Sequence, residues 1–156
     1  MQRTLVLLKP DAVQRGLVGE VTARLEKKGL KLTAMKMIKL SEALLKEHYV
    51  HISDKPFFPG ITAFMKSSPV IAQCWEGKDV VKTVRNVCGI TNAREALPGT
   101  IRGDFAMSVQ CNVVHASEDE GIAKEELKRF FTKEEFFKYE KSEYLHVYSE
   151  DERGGK

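Results

Sequence analysis

His115 is the residue in this chain best placed for nucleophilic chemistry, and its surroundings say which kind. It stands in the run Asn112-Val113-Val114-His115-Ala116-Ser117. The cations Lys9, Arg85 and Arg102 fall at element ends or in a long loop, on separate stretches of chain. Cations converging from separate elements clamp a chain of phosphates, and arginine does this well because its planar fork matches phosphate oxygens. A neutral imidazole nitrogen can attack phosphorus and leave an N-linked phosphoryl group labile enough to pass on. The cations then stabilise charge on the group in transfer. Glu126 adds support: Ile122, Glu126 and Phe130 are spaced for one face of a helix. A carboxylate on the apolar side of a helix needs a partner. Bonded to one ring nitrogen of His115, it would fix the tautomer that leaves the other lone pair free. Spacing alone also allows Glu126 to reach solvent from the helix edge. A histidine at a strand end is, on position alone, more often structural than catalytic.

Composition narrows the choice. The chain has 156 residues, 42% hydrophobic and 30% charged, with a net charge of +3. That suits one globular domain over residues 1–156 and is too weakly basic to announce a nucleic-acid binder. Cys74, Cys88 and Cys111 have no metal-ligand spacing and cannot all pair, so they read as buried thiols in a reducing compartment. The N-terminus runs straight into a strand with no signal-peptide plan, and no apolar run reaches membrane-span length. Together these point to the cytoplasm. P-loop, G-x-G-x-x-G, G-x-S-x-G and zinc-spaced patterns are all missing.

The elements that must position these residues follow from periodicity. Thr4 to Leu8 reads as a buried strand, ended by Lys9-Pro10-Asp11. Val18, Val21 and Leu25 share a helical face, closed by Gly29. Leu30 to Leu40 reads as a longer strand, and Ser41 caps a short helix with Leu44, Leu45 and His48 inward. The Pro56-Phe57-Phe58-Pro59-Gly60 loop holds adjacent aromatics that cannot easily share one core, so one of them is a candidate for stacking on a flat ligand. Packing of both at a helix junction is the plainer alternative. Pro69 to Trp75 is a third strand, and Val80, Val81, Val84, Val87 and Cys88 form a stripe on a helix with Asp79 as candidate N-cap. Ile90 to Gly103 is an irregular loop of a length that usually serves function. Phe105 to Cys111 alternates like a last strand, with a helix from about Asp119 to Phe131 beyond it. Thr132 to Glu135 has capping-box spacing, and residues 149–156 form a loose charged tail. The reduced order βαββαβ predicts an α+β, ferredoxin-like sandwich: a four-stranded antiparallel sheet with helices on one face. Asn112 and His115 have opposite strand parity, so both can serve one site only if the strand ends between them.

The motifs Leu8-Lys9-Pro10-Asp11, Gln14-Arg15-Gly16-Leu17-Val18-Gly19, Pro56-Phe57-Phe58-Pro59-Gly60, Trp75-Glu76-Gly77, Pro98-Gly99-Thr100-Ile101-Arg102-Gly103-Asp104-Phe105 and Asn112-x-x-His115-x-Ser117 resemble those of the nucleoside diphosphate kinase family. The resemblance runs roughly from Arg3 to Tyr148 and implies a ping-pong transfer of a terminal phosphate from a nucleoside triphosphate, commonly ATP, to a nucleoside diphosphate. It implies His115 as the phosphorylated nucleophile, with Glu126 orienting it and Ser117 and Tyr49 nearby. Lys9 and Asn112 would contact the sugar, Lys9 also phosphate, Phe57 the base, and Arg85, Thr91 and Arg102 the phosphates. Magnesium would arrive on the nucleotide, without a protein metal cage. Stacking without reading base edges would give broad base tolerance. The resemblance also implies a homo-oligomer, hexamer favoured over tetramer. Ala116 stands where Gly is frequent, Glu118 where Asp is frequent, and His51 where some members carry an acid. Two other classes compete: an RNA-binding module of the same fold, and a nucleotide-binding scaffold without catalysis. The strands lack the paired aromatics of RNA readers, and the matched site residues are all retained.

Overall fold

Strand β1 (Gln2–Leu8) lies inside a four-stranded sheet of order β2-β3-β1-β4, every neighbouring pair antiparallel. The computed structural model describes residues 1–153. Leu5, Val6, Leu7 and Leu8 are all fully buried, which a strand manages only when both sheet faces are covered. Alternate side chains therefore enter different cores. Val6 and Leu8 pack with Val21 and Leu25 of α2 (Val18–Lys27), which follows a short α1 (Pro10–Gln14). Leu5 and Leu7 pack on the other face with Leu45 of α3 (Glu42–His48), Met65 of α4 (Phe58–Lys66) and Phe130. The expected ferredoxin-like sheet is present, but helices cover two faces rather than one.

Strand β2 (Lys31–Ile38) is the outer strand beside β3 (Val70–Gly77). A bulge between Leu32 and Ala34 turns the even-numbered apolar side chains from one core to the other: Leu30 and Leu32 pack with Val21 and Leu25, and Ala34, Ile38 and Leu40 with Leu45 and Met65. Helix α5 (Val80–Cys88) buries Val80, Val81, Val84 and Cys88 of the predicted stripe and leaves Val87 half-buried at its edge. Asp79 does not cap it: the residue is left-handed (φ 45°) and its side chain makes no cap bond. Gly89 closes the helix at φ 81°, and a Cβ there would meet Thr100 Oγ1 at 2.5 Å, so glycine is required both by backbone and by space.

Phe105 to Cys111 is not a strand. Thr100 caps a helix, α6 (Ile101–Phe105), by accepting from the Gly103 amide, and the chain then runs irregularly to Val113. Strand β4 is only Val114–Ala116. Helix α7 (Glu120–Phe130) follows, its N-terminus capped by Asp119 accepting from the Ile122 amide. The capping box at Thr132 opens a 3-10 turn, Lys133–Glu135. Beyond it the chain lies along the edge of β2, with the Phe137 amide donating to the Thr33 carbonyl at 2.8 Å. Two one-turn helices, α8 (Tyr144–Val147) and α9 (Glu150–Arg153), end the described chain. The expected loose tail thus carries a helical turn, and 154–156 lie outside the described residues. Cys74 and Cys88 are buried, but Cys111 is exposed because it sits in the irregular run instead of a strand.

Candidate active site

The site is built on a break in the backbone. Val113 is fully buried with φ 73°, a left-handed conformation that is costly for a β-branched residue, about 1–3 kcal/mol. The Val114 amide donates back to the Asn112 carbonyl at 2.8 Å, the three-residue bond of a γ-turn. The expected break between Asn112 and His115 is therefore present, but a strand begins there instead of ending. His115 is inside β4, paired opposite Leu7 of β1, and so inherits the rigidity of the sheet. Asn112 precedes the strand and is buried. Its amide donates to the carbonyls of Thr91 and Val109, and its Oδ1 accepts from Lys9 Nζ at 2.6 Å.

His115 Nε2 donates to Glu126 Oε1 at 2.9 Å, and Ser117 Oγ donates to Glu126 Oε2 at 2.6 Å. Both carboxylate oxygens are engaged. Burial alone would raise the Glu126 pKa, but the bonds from His115 and Ser117 outweigh it and hold the carboxyl below its ordinary range. An ionised acceptor on Nε2 assigns the proton to that nitrogen, and the Nδ1 lone pair is left free. The geometry chooses the buried, partnered Glu126 over the solvent-reaching alternative. Ile122, one turn earlier, is instead exposed.

A cleft of about 720 Å³ opens above this group, a size typical of small-molecule sites. Lys9, Tyr49, Arg85, Thr91, Arg102, Asn112, His115 and Glu126 all line it. Phe57 does not: it is 57% exposed at the start of α4, while Phe58 is buried. The adjacent aromatics have separated as their crowding suggested, with one ring left outside the core. Arg85 projects from α5 and makes no ion pair among the described residues. Arg102 is buried, donating from Nη1 to the Gly89 carbonyl at 2.6 Å and from Nη2 to the Val114 carbonyl at 2.7 Å. It ties the end of α5 to the strand that bears His115. Burial pushes Lys9 down to about 8, and the nearby Arg102 charge adds to this, while Asp11 and Cys111 oppose it. Burial, with help from the Glu126 charge, pushes Tyr49 up to about 12, so its hydroxyl keeps its proton.

His48 and Arg129 line the cleft beside His115, and sequence reasoning names neither as a site residue. His48 was legible only as an inward position on α3. Its ring stands edge-on to His115, centroids 4.7 Å apart, and touches Tyr49 and Phe130 similarly. Burial, then the His115 charge, pushes His48 down to about 3, so it is a neutral wall and not a second cation. Arg129 of α7 bonds Glu47 at 2.9 Å and approaches His48 Nδ1 at 3.4 Å. Nothing in local spacing links α3 to α7; only the fold brings them together.

A sequence model described as "Nucleoside diphosphate kinase" matches residues 2–136. The chain belongs to the nucleoside diphosphate kinase family. A nucleoside diphosphate kinase of Parabacteroides distasonis is 54% identical over 152 residues, covering 97% of this chain and 99% of that one. Nucleoside diphosphate kinase B of Bos taurus is 47% identical over 94% of this chain and 97% of its own. A solved halophilic nucleoside diphosphate kinase of Halobacterium salinarum, in complex with CDP, superposes with TM-score 0.92 at 44% identity, covering 95% of this chain and 99% of that one. Like the rest of this phosphotransferase family, the chain is a nucleotide kinase acting on nucleoside di- and triphosphates. No helix among the described residues is long and apolar enough to cross a membrane.

Proposed function

We propose that the kinase works by a ping-pong cycle in which His115 Nδ1 carries the phosphoryl group. The observation that supports it is the bond from Nε2 to Glu126, which leaves the Nδ1 lone pair free on a residue that lines the cleft. Nδ1 attacks the terminal phosphorus of a nucleoside triphosphate, commonly ATP, and the bond to the bridging oxygen breaks. The nucleoside diphosphate leaves, and a second one takes the phosphoryl group by the reverse displacement. Attack through the Nδ1 lone pair leaves positive charge on the ring, and ionised Glu126, already bonded to Nε2–H, stabilises it. Lys9, Arg85 and Arg102 hold the phosphates, with Thr91 beside them. Asn112 has both amide hydrogens engaged, so it meets the sugar through the remaining lone pair of Oδ1, accepting a hydroxyl proton. Tyr49 borders His115 as a neutral wall.

The cleft suits a magnesium ion that brings its own ligands. Glu126 is taken up by His115 and Ser117, and the other carboxylates of the cleft, Glu47, Glu118 and Glu125, are exposed. The cluster His48–His115–Glu126, its ligand atoms within 4.8 Å, is too rich in nitrogen for so hard an ion. The nucleotide phosphates would hold the magnesium, which would neutralise charge on them.

The exposed Phe57 ring stacks on the base from the rim. Phe57→Ala is expected to raise KM about tenfold, equally for purine and pyrimidine nucleotides, with kcat little changed, since stacking is worth about 1–3 kcal/mol and ignores base identity. Steady-state kinetics across four bases checks this. The domain spans the chain, and the protein assembles as a cytoplasmic homo-oligomer, a hexamer before a tetramer. Sedimentation equilibrium tests the assembly. The cycle itself is tested by initial rates: parallel double-reciprocal lines are expected with donor and acceptor varied together, and intersecting lines would require direct transfer.

Lys9 gives the cycle a pH signature. In the free enzyme it loses its proton near pH 8, so kcat/KM falls as pH rises through about 8. Bound phosphate restores the proton, so kcat persists to higher pH. Stability moves the other way. A lysine whose folded value lies below its unfolded 10.5 opposes folding while charged, so this contribution makes the fold more stable as pH climbs from about 8 to 10.5.

A further inference from the structure

Asp11 has no assigned part in the cycle above, yet it touches the backbone break that the site depends on. Its Oδ2 accepts from the Val113 amide at 2.9 Å. Two residues earlier, the Lys9 amide donates to the Val113 carbonyl at 2.8 Å. Both polar groups of the strained residue are thus held by the run Lys9-Pro10-Asp11, whose middle member fixes the backbone between them. The same run sends Lys9 Nζ to Asn112 Oδ1. Lys9 and Asn112, the two residues expected on the sugar, are therefore set relative to His115 by one clamp across the Val113 turn.

Electrostatics argues that the carboxylate is there for this bond. An acid beside a phosphate site repels the ligand, and Asp11 Oδ1 is buried with no hydrogen-bond partner. A residue needed only to favour the start of α1 would face solvent. We infer that Asp11 is a positioning residue for nucleotide recognition: its bond to the Val113 amide keeps the left-handed turn that aims Asn112 and Lys9 at the bound nucleotide beside His115. The inference rests on His115 as the phosphoryl acceptor. His115 itself is fixed independently, by its strand pairing with β1 and its bond to Glu126. Loss of Asp11 should therefore harm nucleotide use and spare the reactivity of the imidazole.

Four proteins test this: Asp11→Ala, Asp11→Asn, Val113→Gly and Asp11→Ala/Val113→Gly. Each is assayed for nucleotide kcat/KM, for thermal midpoint, and for phosphorylation by phosphoramidate, a donor with no nucleoside to position. Asp11→Ala is expected to lower nucleotide kcat/KM about 30- to 100-fold, by analogy with a lost positioning contact. Its labelling by phosphoramidate should stay within about threefold of the parent. Asp11→Asn keeps a carbonyl acceptor and should lose less than about fivefold. Glycine adopts positive φ without a clamp, so adding Asp11→Ala to Val113→Gly should cost less than about threefold. That comparison stands even if Asp11→Ala alone does not fold. An Asp11→Ala protein with full nucleotide kcat/KM, or a further tenfold loss on the Val113→Gly background, would overturn the inference. Failure of phosphoramidate to label the parent protein would count against His115 as acceptor instead.

Discussion

A His115→Ala protein is expected to keep its fold and lose at least about 10⁴-fold in turnover, because His115 is the imidazole of the cleft held within the sheet and bonded to Glu126, whereas His51, also at the cleft, is exposed and has no such bond among the described residues. Tyr49 is held protonated with its pKa near 12, and Lys9 serves as a cation. His48 is neutral but buried, and its Nε2 has no partner and no exposure to the cleft. Stability should fall modestly. Glu126 would keep only its bond from Ser117, and an unmatched buried acceptor costs about 1–3 kcal/mol. Steady-state turnover and thermal unfolding, measured on the same preparation, separate the two effects. A protein that loses turnover and stability in parallel would instead point to a structural histidine.

Arg102→Ala should be the most damaging change outside the nucleophile, because Arg102 does two things at once. As a buried cation in the cleft it stabilises charge on the transferring group, and its loss should lower kcat/KM by about 10²- to 10³-fold. As a tie it satisfies the Gly89 and Val114 carbonyls, and leaving both without a donor should cost about 2–4 kcal/mol. For a chain of this size that is roughly a 5–15 °C fall in the unfolding midpoint. Arg102→Lys restores the charge but not the fork, since one ammonium cannot span carbonyls on two elements. It should recover part of the activity and little of the stability. Calorimetry beside kinetics on both variants checks the split. An Arg102→Lys protein as stable as the parent would mean that the two carbonyl bonds carry little.

Much of this arrangement is legible in the sequence. The apolar run of β1, the α5 stripe and the caps at Ser41 and Thr132 are local patterns, and local patterns survive folding. Glu126 was legible because a charge on an apolar stripe demands a partner. What failed was the run from Phe105 to Cys111. Its alternation looks like a half-buried strand, yet Met107 is 75% exposed and Val109 51%. The run is held by the Asn112 side chain and by the Thr100 cap, and neither leaves a periodic signature. The alternation of Phe105 to Cys111 puts the strand before Val113, whereas β4 starts after it, so the break opens a strand instead of ending one. The second covered face is hidden for a different reason: the βαββαβ order predicts helices on one face, whereas the continuous burial of Leu5 to Leu8 is a two-sided signal. His48 and Arg129 were beyond reach, since only the packing of α3 on α7 makes them neighbours of His115.

The central claim is that His115 is phosphorylated during turnover. The direct measurement is to mix the protein with a nucleoside triphosphate labelled in its terminal phosphate, omit any acceptor, and map the modified peptide. The expected result is an acid-labile, base-stable label on the peptide containing His115, discharged in full by added nucleoside diphosphate. Absence of label, or an equal label on the His115→Ala protein, would contradict the account.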